Sequence, residues 1–305
     1  MTGRWHGLED GTWSVHPDYP YEAVPGHNVS PARYCFQRKL WVLLRGDLVL
    51  VPEDQRILDF GCGSGNYRIM FEGRSYVGFD LHAPDFYKWK GERTQFMVAD
   101  GRRAPFIDET FDFVFLNAVL EHIPENSEAA REAARILKPG KRCIVIVPTT
   151  LSVVYDEIPF IPLKLLRIMK GHADHYYSRR ELTRLLEQAG LEIESMGYSM
   201  GFFSGLLKTV YIFGRFPRFL FYNALFKLTR KETGKRGLYT DTRTRFAATK
   251  AELFKIQQEE YEQAGLRKRL YRTCLELCYW LDEKLKIPLG GEWLVVARRS
   301  RQRTD

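Results

Sequence analysis

Short apolar runs alternate with polar stretches of helical spacing along this chain, beginning near residue 53. Ile57 to Phe60, Tyr76 to Asp80, Thr94 to Gly101, Phe111 to Asn117 and Arg142 to Pro148 are nearly continuous apolar segments. That is the pattern of strands buried on both faces. Between the fourth and fifth, Ser127 to Leu137 has helical periodicity and is stopped by Lys138-Pro139-Gly140. Ser178-Arg179-Arg180-Glu181 reads as a capping box opening a helix that ends at Ala189-Gly190. Leu191 to Tyr198 and Glu292 to Arg298 are two further strands. Strand alternating with helix predicts a doubly wound α/β sheet.

The flanks differ. Residues 1–50 read as an arm and one helix, since Pro17, Pro20, Pro25 and Pro31 discourage regular structure before helical spacing at Tyr34, Leu40, Trp41 and Leu44. About 95 residues separate the sixth strand from the seventh, so 201–288 reads as an insertion. Between Phe202 and Lys231 it carries six basic residues, no acid and many aromatics, broken at Gly214 and Pro217 into two short helices. From about Thr244 to Lys286 a long helical pattern, kinked at Gly265, reads as a brace. The division is thus an arm (1–50), an α/β core (51–200), the basic aromatic insertion (201–288), and a final strand with a basic tail (289–305).

Charge sharpens that division. The net charge is +8, but residues 201–305 hold 22 Lys/Arg against 11 Asp/Glu, or +11, while 1–200 hold 24 against 27, or −3. The C-terminal part therefore suits an anionic partner. Basic helices with broad apolar faces fit an anionic membrane surface; a lid over the site, or solvated faces on plain packing, are the alternatives. No apolar run reaches the length that spans a bilayer. The first 25 residues have neither a secretory h-region nor the acid-poor look of a transit peptide. With five cysteines, an odd number, free thiols and a cytoplasmic location are expected, peripheral to the inner membrane face if the insertion binds lipid. No cluster of metal-ligand spacing occurs, so no metal is expected.

Chemistry enters at Ile57-Leu58-Asp59-Phe60-Gly61-Cys62-Gly63-Ser64-Gly65-Asn66-Tyr67, a strand running into a glycine turn expected to open a helix. Three alternate glycines let backbone approach a ligand closely. A dinucleotide turn wants glycine at 66, where Asn66 stands, and Asp59 would repel a pyrophosphate but pair with a cationic ammonium or sulfonium. Asp80, 19 residues beyond Gly61, ends the second strand where an acid accepts from ribose hydroxyls. Asp100 ends the third, and Leu120-Glu121-His122-Ile123 follows the fourth. In these motifs, their order and their spacing, the chain resembles the class I S-adenosylmethionine (SAM) dependent methyltransferases, and the ubiquinone/menaquinone type of small-molecule enzyme in particular.

That resemblance implies a seven-stranded Rossmann-like sheet whose last strand runs antiparallel between the fifth and sixth. It implies SAM held by Asp59, Gly61, Gly63, Gly65, Asp80, Asp100, Gly101 and Asn117, with Asp100 at the adenine amino group. A sulfonium methyl is already electrophilic, so near-attack geometry can lower the barrier by up to roughly 7–11 kcal/mol. Where the acceptor must lose a proton, a general base adds roughly 10²–10⁴-fold. His122 is the residue placed for it, with His172, His175, Tyr176, Tyr19, Tyr21 and His27 as further candidates. The fourth strand ends Asn117-Ala118-Val119-Leu120, without the Pro-Pro-aromatic, Pro-Cys or paired-glutamate signatures of nucleic-acid and protein-arginine enzymes. A small-molecule or lipid-like acceptor is therefore expected. The alternatives are an RNA-directed methyltransferase and a non-catalytic methyltransferase-like binding or scaffold subunit.

Overall fold

The computed structural model describes residues 54–81, 93–154, 174–210 and 265–301, apart from 64, 66, 72 and 208. Seven strands form one sheet: β1 (Arg56–Phe60), β2 (Ser75–Asp80), β3 (Thr94–Val98), β4 (Phe111–Asn117), β5 (Leu137–Pro148), β6 (Leu191–Met200) and β7 (Glu292–Arg299). Their order is β3-β2-β1-β4-β5-β7-β6. β1 to β5 pair in parallel, and β7 lies antiparallel between β5 and β6. The expected topology is what the chain adopts, including the late seventh strand.

The near-continuous apolar runs have the predicted cause. Leu58, Phe60, Val77, Phe79, Val114, Leu116, Val145 and Val295 join one core cluster, while their strand neighbours Ile57, Tyr76, Phe113, Phe115, Ile144 and Leu294 join another. Alternate residues thus fill opposite faces of one sheet, and both faces are buried. Helix α1 (Asn126–Ile136) turns Ala129, Ala130, Ala133 and Ala134 inward, small side chains that let it lie close. Helix α2 (Arg179–Gln188) begins at the predicted capping box, with both reciprocal hydrogen bonds formed, and buries Leu182 and Leu186.

Two expectations change. The helix after the glycine turn is a single 3-10 turn, Arg68–Phe71. Only 14 residues separate Phe60 from Ser75, and Phe71 is buried against Tyr76, Phe113 and Phe115, which pins the chain before a longer helix can form. Lys138-Pro139-Gly140 does not precede β5 but lies within it as an irregularity, because pairing jumps from Phe111–Leu137 to Phe113–Arg142. Asp112 fastens it: its carboxylate, 4% exposed, accepts from Lys138 Nζ at 2.8 Å and from the Arg56 amide at 3.1 Å. That cluster is at the amino end of β4, away from the carboxyl edge.

Of the insertion, the described residues are 201–210, without 208, and helix α3 (Gly265–Leu285) with the turn after it. Asp282 of α3 caps the helix of residues 202–210, accepting from Phe203 N at 2.7 Å, Ser204 N at 3.0 Å and Ser204 Oγ at 2.6 Å. Gly201 is the residue this approach requires, since a Cβ there would run into the Asp282 carboxylate. The Phe202–Lys231 stretch beyond residue 210, the Thr244 end of the long helical pattern and the arm 1–50 lie outside the described residues, as do His172, Tyr19, Tyr21 and His27.

Candidate functional site

Parallel pairing sets the carboxyl ends of β1, β2, β3 and β4 along one edge. Phe60 lies opposite Phe79 and Leu116, and Asp80 lies opposite Val98. The strand order reverses between β1 and β4, and in open α/β sheets ligands bind outside the carboxyl ends at such a switch point. Gly61–Gly65 follows β1 there, and Ala118–His122 follows β4.

The two loops meet. Gly61 has φ of 71°, and a Cβ on it would come within 2.6 Å of Val119 Cγ2. Gly63 has φ of 52°, yet a Cβ there would meet no protein atom within 4 Å. Gly61 is thus packed closely against Val119, and Gly63 faces open space. Asp80 draws this turn onto β2, its Oδ2 accepting from Gly63 N at 2.9 Å, and Cys62 N donates to Phe79 O at 2.8 Å. Ala118, directly after Asn117, holds φ of 55°, an uncommon conformation for a residue with a Cβ. Such strain persists only where surrounding structure fixes it, and the Ala118 N–H to Ile146 O bond of 2.9 Å does so.

The expected acids are all at this edge, but in different states. Asp59 is 2% exposed and accepts from Tyr76 Oη at 2.6 Å. Burial pushes its carboxyl up to about 7; the Tyr76 bond pulls the other way and the Asp80 charge adds to the rise. It lies beneath the turn rather than on its surface. Asp100 caps the 3-10 turn Gly101–Arg103. Its Oδ1 accepts from Arg102 N and Nε, its Oδ2 from Nε and Nη2 at 2.7 Å, and these bonds hold the carboxyl below its usual range. Arg102 also reaches Glu125 at 2.8 Å, so an adenine amino group at Asp100 must share with that fork. Gly101 is buried, and a Cβ on it would press within 2.7 Å of the Phe60 ring. Asn117 is half-buried, in register with Ile146.

His122 closes a 3-10 turn, Leu120–His122, and is exposed at the rim. His175 is elsewhere occupied, its Nε2 lying 2.7 Å from Glu181 and its ring packed edge-on to Tyr177. The residue that sequence reasoning missed is Glu121. It is 3% exposed, its Oε2 has no hydrogen-bond partner among the described residues, and burial above all pushes it up to about 8. No periodicity marks it, because its neighbour on each side, Leu120 at 0% and exposed His122, fits a short turn equally well with a glutamate facing out.

The site fits SAM on these observations: an open cradle over Gly63, an acid beside it that orders the turn, and a buried carboxylate below suited to a cation. Among the described residues no group of acids, histidines and cysteines assembles as a metal site.

Comparison with known proteins agrees. The family described as methyltransferase domain matches residues 36–196, just over half of the chain. A ubiquinone/menaquinone biosynthesis C-methyltransferase, UbiE of Desulfotalea psychrophila, is 27% identical over 156 residues, which are 46% of this chain and 61% of that protein. The 27-O-demethylrifamycin SV methyltransferase of Amycolatopsis mediterranei is 30% identical over 167 residues, 50% of this chain and 59% of that one. A probable tRNA methyltransferase 9B of Homo sapiens is 32% identical over 128 residues, 40% of this chain and 28% of that one. The chain thus spans about three-fifths of the first two relatives and less of the third. With its strand order, its glycine turn and this match, the chain belongs to the methyltransferase domain family, in its class I SAM-dependent form.

Proposed function

We propose that this chain moves the methyl group of SAM to an oxygen, nitrogen or carbon of a small-molecule or lipid-like acceptor. The observation that carries the reading is the Gly61–Gly65 turn, tied to β2 by Asp80 and open over Gly63, at the switch point of the sheet. When bound, SAM supplies an electrophilic methyl on a sulfonium. The chain's own part is to orient. Gly61, Gly63 and Gly65 bring backbone to the cofactor, Asp80 is placed for ribose hydroxyls, and Asp100 with Gly101 flanks the adenine. Asp59 offers a buried negative charge, and Asn117 closes the edge at β4. His122 stands at the rim where an acceptor enters.

The relatives whose names carry a quinone-pathway and a rifamycin substrate support a small acceptor. The +11 charge of residues 201–305 supports an anionic surface as a second partner. Among the described residues no helix is long and apolar enough to cross a membrane.

Two measurements test the reading. Calorimetry with SAM should give binding, and absence of heat would sink the assignment of this cradle. Transfer of labelled methyl from SAM into fractionated lipid, small-molecule, glycan and RNA extracts should mark one of the first two. Label confined to RNA would replace the acceptor class; binding without any label would make the chain a non-catalytic subunit.

A further inference from the structure

A buried carboxyl oxygen without a donor is costly, about 1–3 kcal/mol or more for an ionisable group, and native folds seldom keep one without use. Glu121 is such a group, and its surroundings are built. Its backbone carbonyl accepts from both Asp174 N and His175 N, each at 3.1 Å. Tyr177 Oη, at the end of the same strap, donates to Leu120 O at 3.0 Å and accepts from Asn126 Nδ2 at 2.9 Å. The strap 174–177 is thus fastened to the backbone of the turn that bears Glu121, at the carboxyl edge of β4. The charged and titratable groups around it among the described residues are Glu292 at the start of β7, Tyr177 and His175 on the strap, and His122 beside it in sequence. Glu292 adds a like charge and itself accepts from Ser199 Oγ at 2.8 Å. No lysine or arginine is among these neighbours, so burial favours a carboxyl that holds a proton.

We propose that Glu121, in place of His122, is the proton acceptor for methyl transfer, its Oε2 meeting the O–H or N–H of the acceptor at the carboxyl edge of β4. The inference rests on the SAM-dependent reading above. In the step, the acceptor's lone pair forms the new bond to the methyl carbon. The carbon–sulfur bond breaks with its electron pair going to sulfur, and the acceptor proton passes to the Glu121 carboxylate. The group that Oε2 lacks in the structure is a donor, and the acceptor brings one. Burial raises the carboxyl to about 8 against the pull of its own backbone N–H, with the Glu292 charge adding a smaller rise, and that is the range in which a general base is effective.

The test uses the full chain and Glu121→Gln. First, the infrared difference between wild type and E121Q, taken with S-adenosylhomocysteine bound, should contain a protonated-carboxyl band at pH 7 that titrates away near pH 8. Its absence at pH 7 overturns the proposal. Second, E121Q should bind SAM with unchanged affinity, yet label the fraction that wild type labels about 10²–10⁴-fold more slowly and without the wild-type rise in rate through pH 8. An E121Q chain that keeps rate and pH profile removes Glu121 from the step while leaving the methyltransferase reading intact. A wild type that labels no fraction removes both. A purely structural Glu121 would leave the pH profile of E121Q as in wild type, whatever its melting temperature.

Discussion

Single residues at the glycine turn divide by what surrounds them. Gly63→Ala meets no protein atom and carries only the penalty of a left-handed φ, about 1 kcal/mol. It should therefore melt within a few degrees of wild type while binding SAM at least tenfold more weakly. Gly61→Ala drives a methyl into Val119, so it should lose both stability and binding. Thermal melts beside calorimetry separate the two. Asp59, if it faces the cofactor as proposed, should make SAM affinity depend on pH. Its carboxyl, at about 7 in the free chain, must be ionised to favour a cation, so binding expels a proton at low pH. Affinity should be flat above about pH 7 and fall by up to tenfold per unit below it. Tyr76→Phe removes the donor that favours the carboxylate and should move that break upward. Flat affinity between pH 5.5 and 8 would show that Asp59 does not sense the cofactor. Glu121 makes folding itself depend on pH. Its folded value, about 8, lies above the ordinary 4.5, so its contribution is full below about pH 4.5 and is lost as pH rises through 8. E121Q should therefore be more stable than wild type at pH 8 by a few kcal/mol at most, measured by urea unfolding.

At the scale of elements, the sheet was legible and the joints were not. Strands and the α2 capping box follow from local periodicity, which a buried strand or a helix start imposes on consecutive residues. The single 3-10 turn after Gly65 was not legible, because it depends on Phe71 meeting Phe113 and Phe115, some 40 residues away. Nor was the Asp282 cap, which joins residues 78 and 79 apart. Its removal is a clean test of how the insertion is held. Asp282→Ala leaves two backbone N–H groups without their acceptor and Ser204 Oγ with only the Gly201 carbonyl at 3.4 Å, and should cost about 1–2 kcal/mol. The loss should show as faster hydrogen exchange over 202–210, with β1 to β5 unchanged. Equal exchange in both chains would mean that α3 docks by other contacts.

For the whole molecule, the charge is divided rather than spread: −3 over residues 1–200 and +11 over 201–305. A partner attracted by that second part should be salt-sensitive, since exposed charges are screened beyond about 8–10 Å at physiological ionic strength. Sedimentation with phosphatidylserine-containing vesicles should pellet the chain at low salt and release it at high salt. Failure to pellet at low salt would reject a membrane surface as the partner. The succession of strands along the chain, the glycine turn and the acids at strand ends were determined by sequence alone, because each is a local pattern or a spacing along one chain. Which atoms those acids meet was decided only by tertiary structure. Asp59 spends a lone pair on Tyr76, 17 residues on; Asp100 is held by Arg102 and, through it, by Glu125; Glu121 is buried on a turn whose backbone carbonyl is fastened to residues 174 and 175. A carboxylate's proton affinity is set by burial and by neighbours brought from elsewhere in the chain, and no local pattern records either.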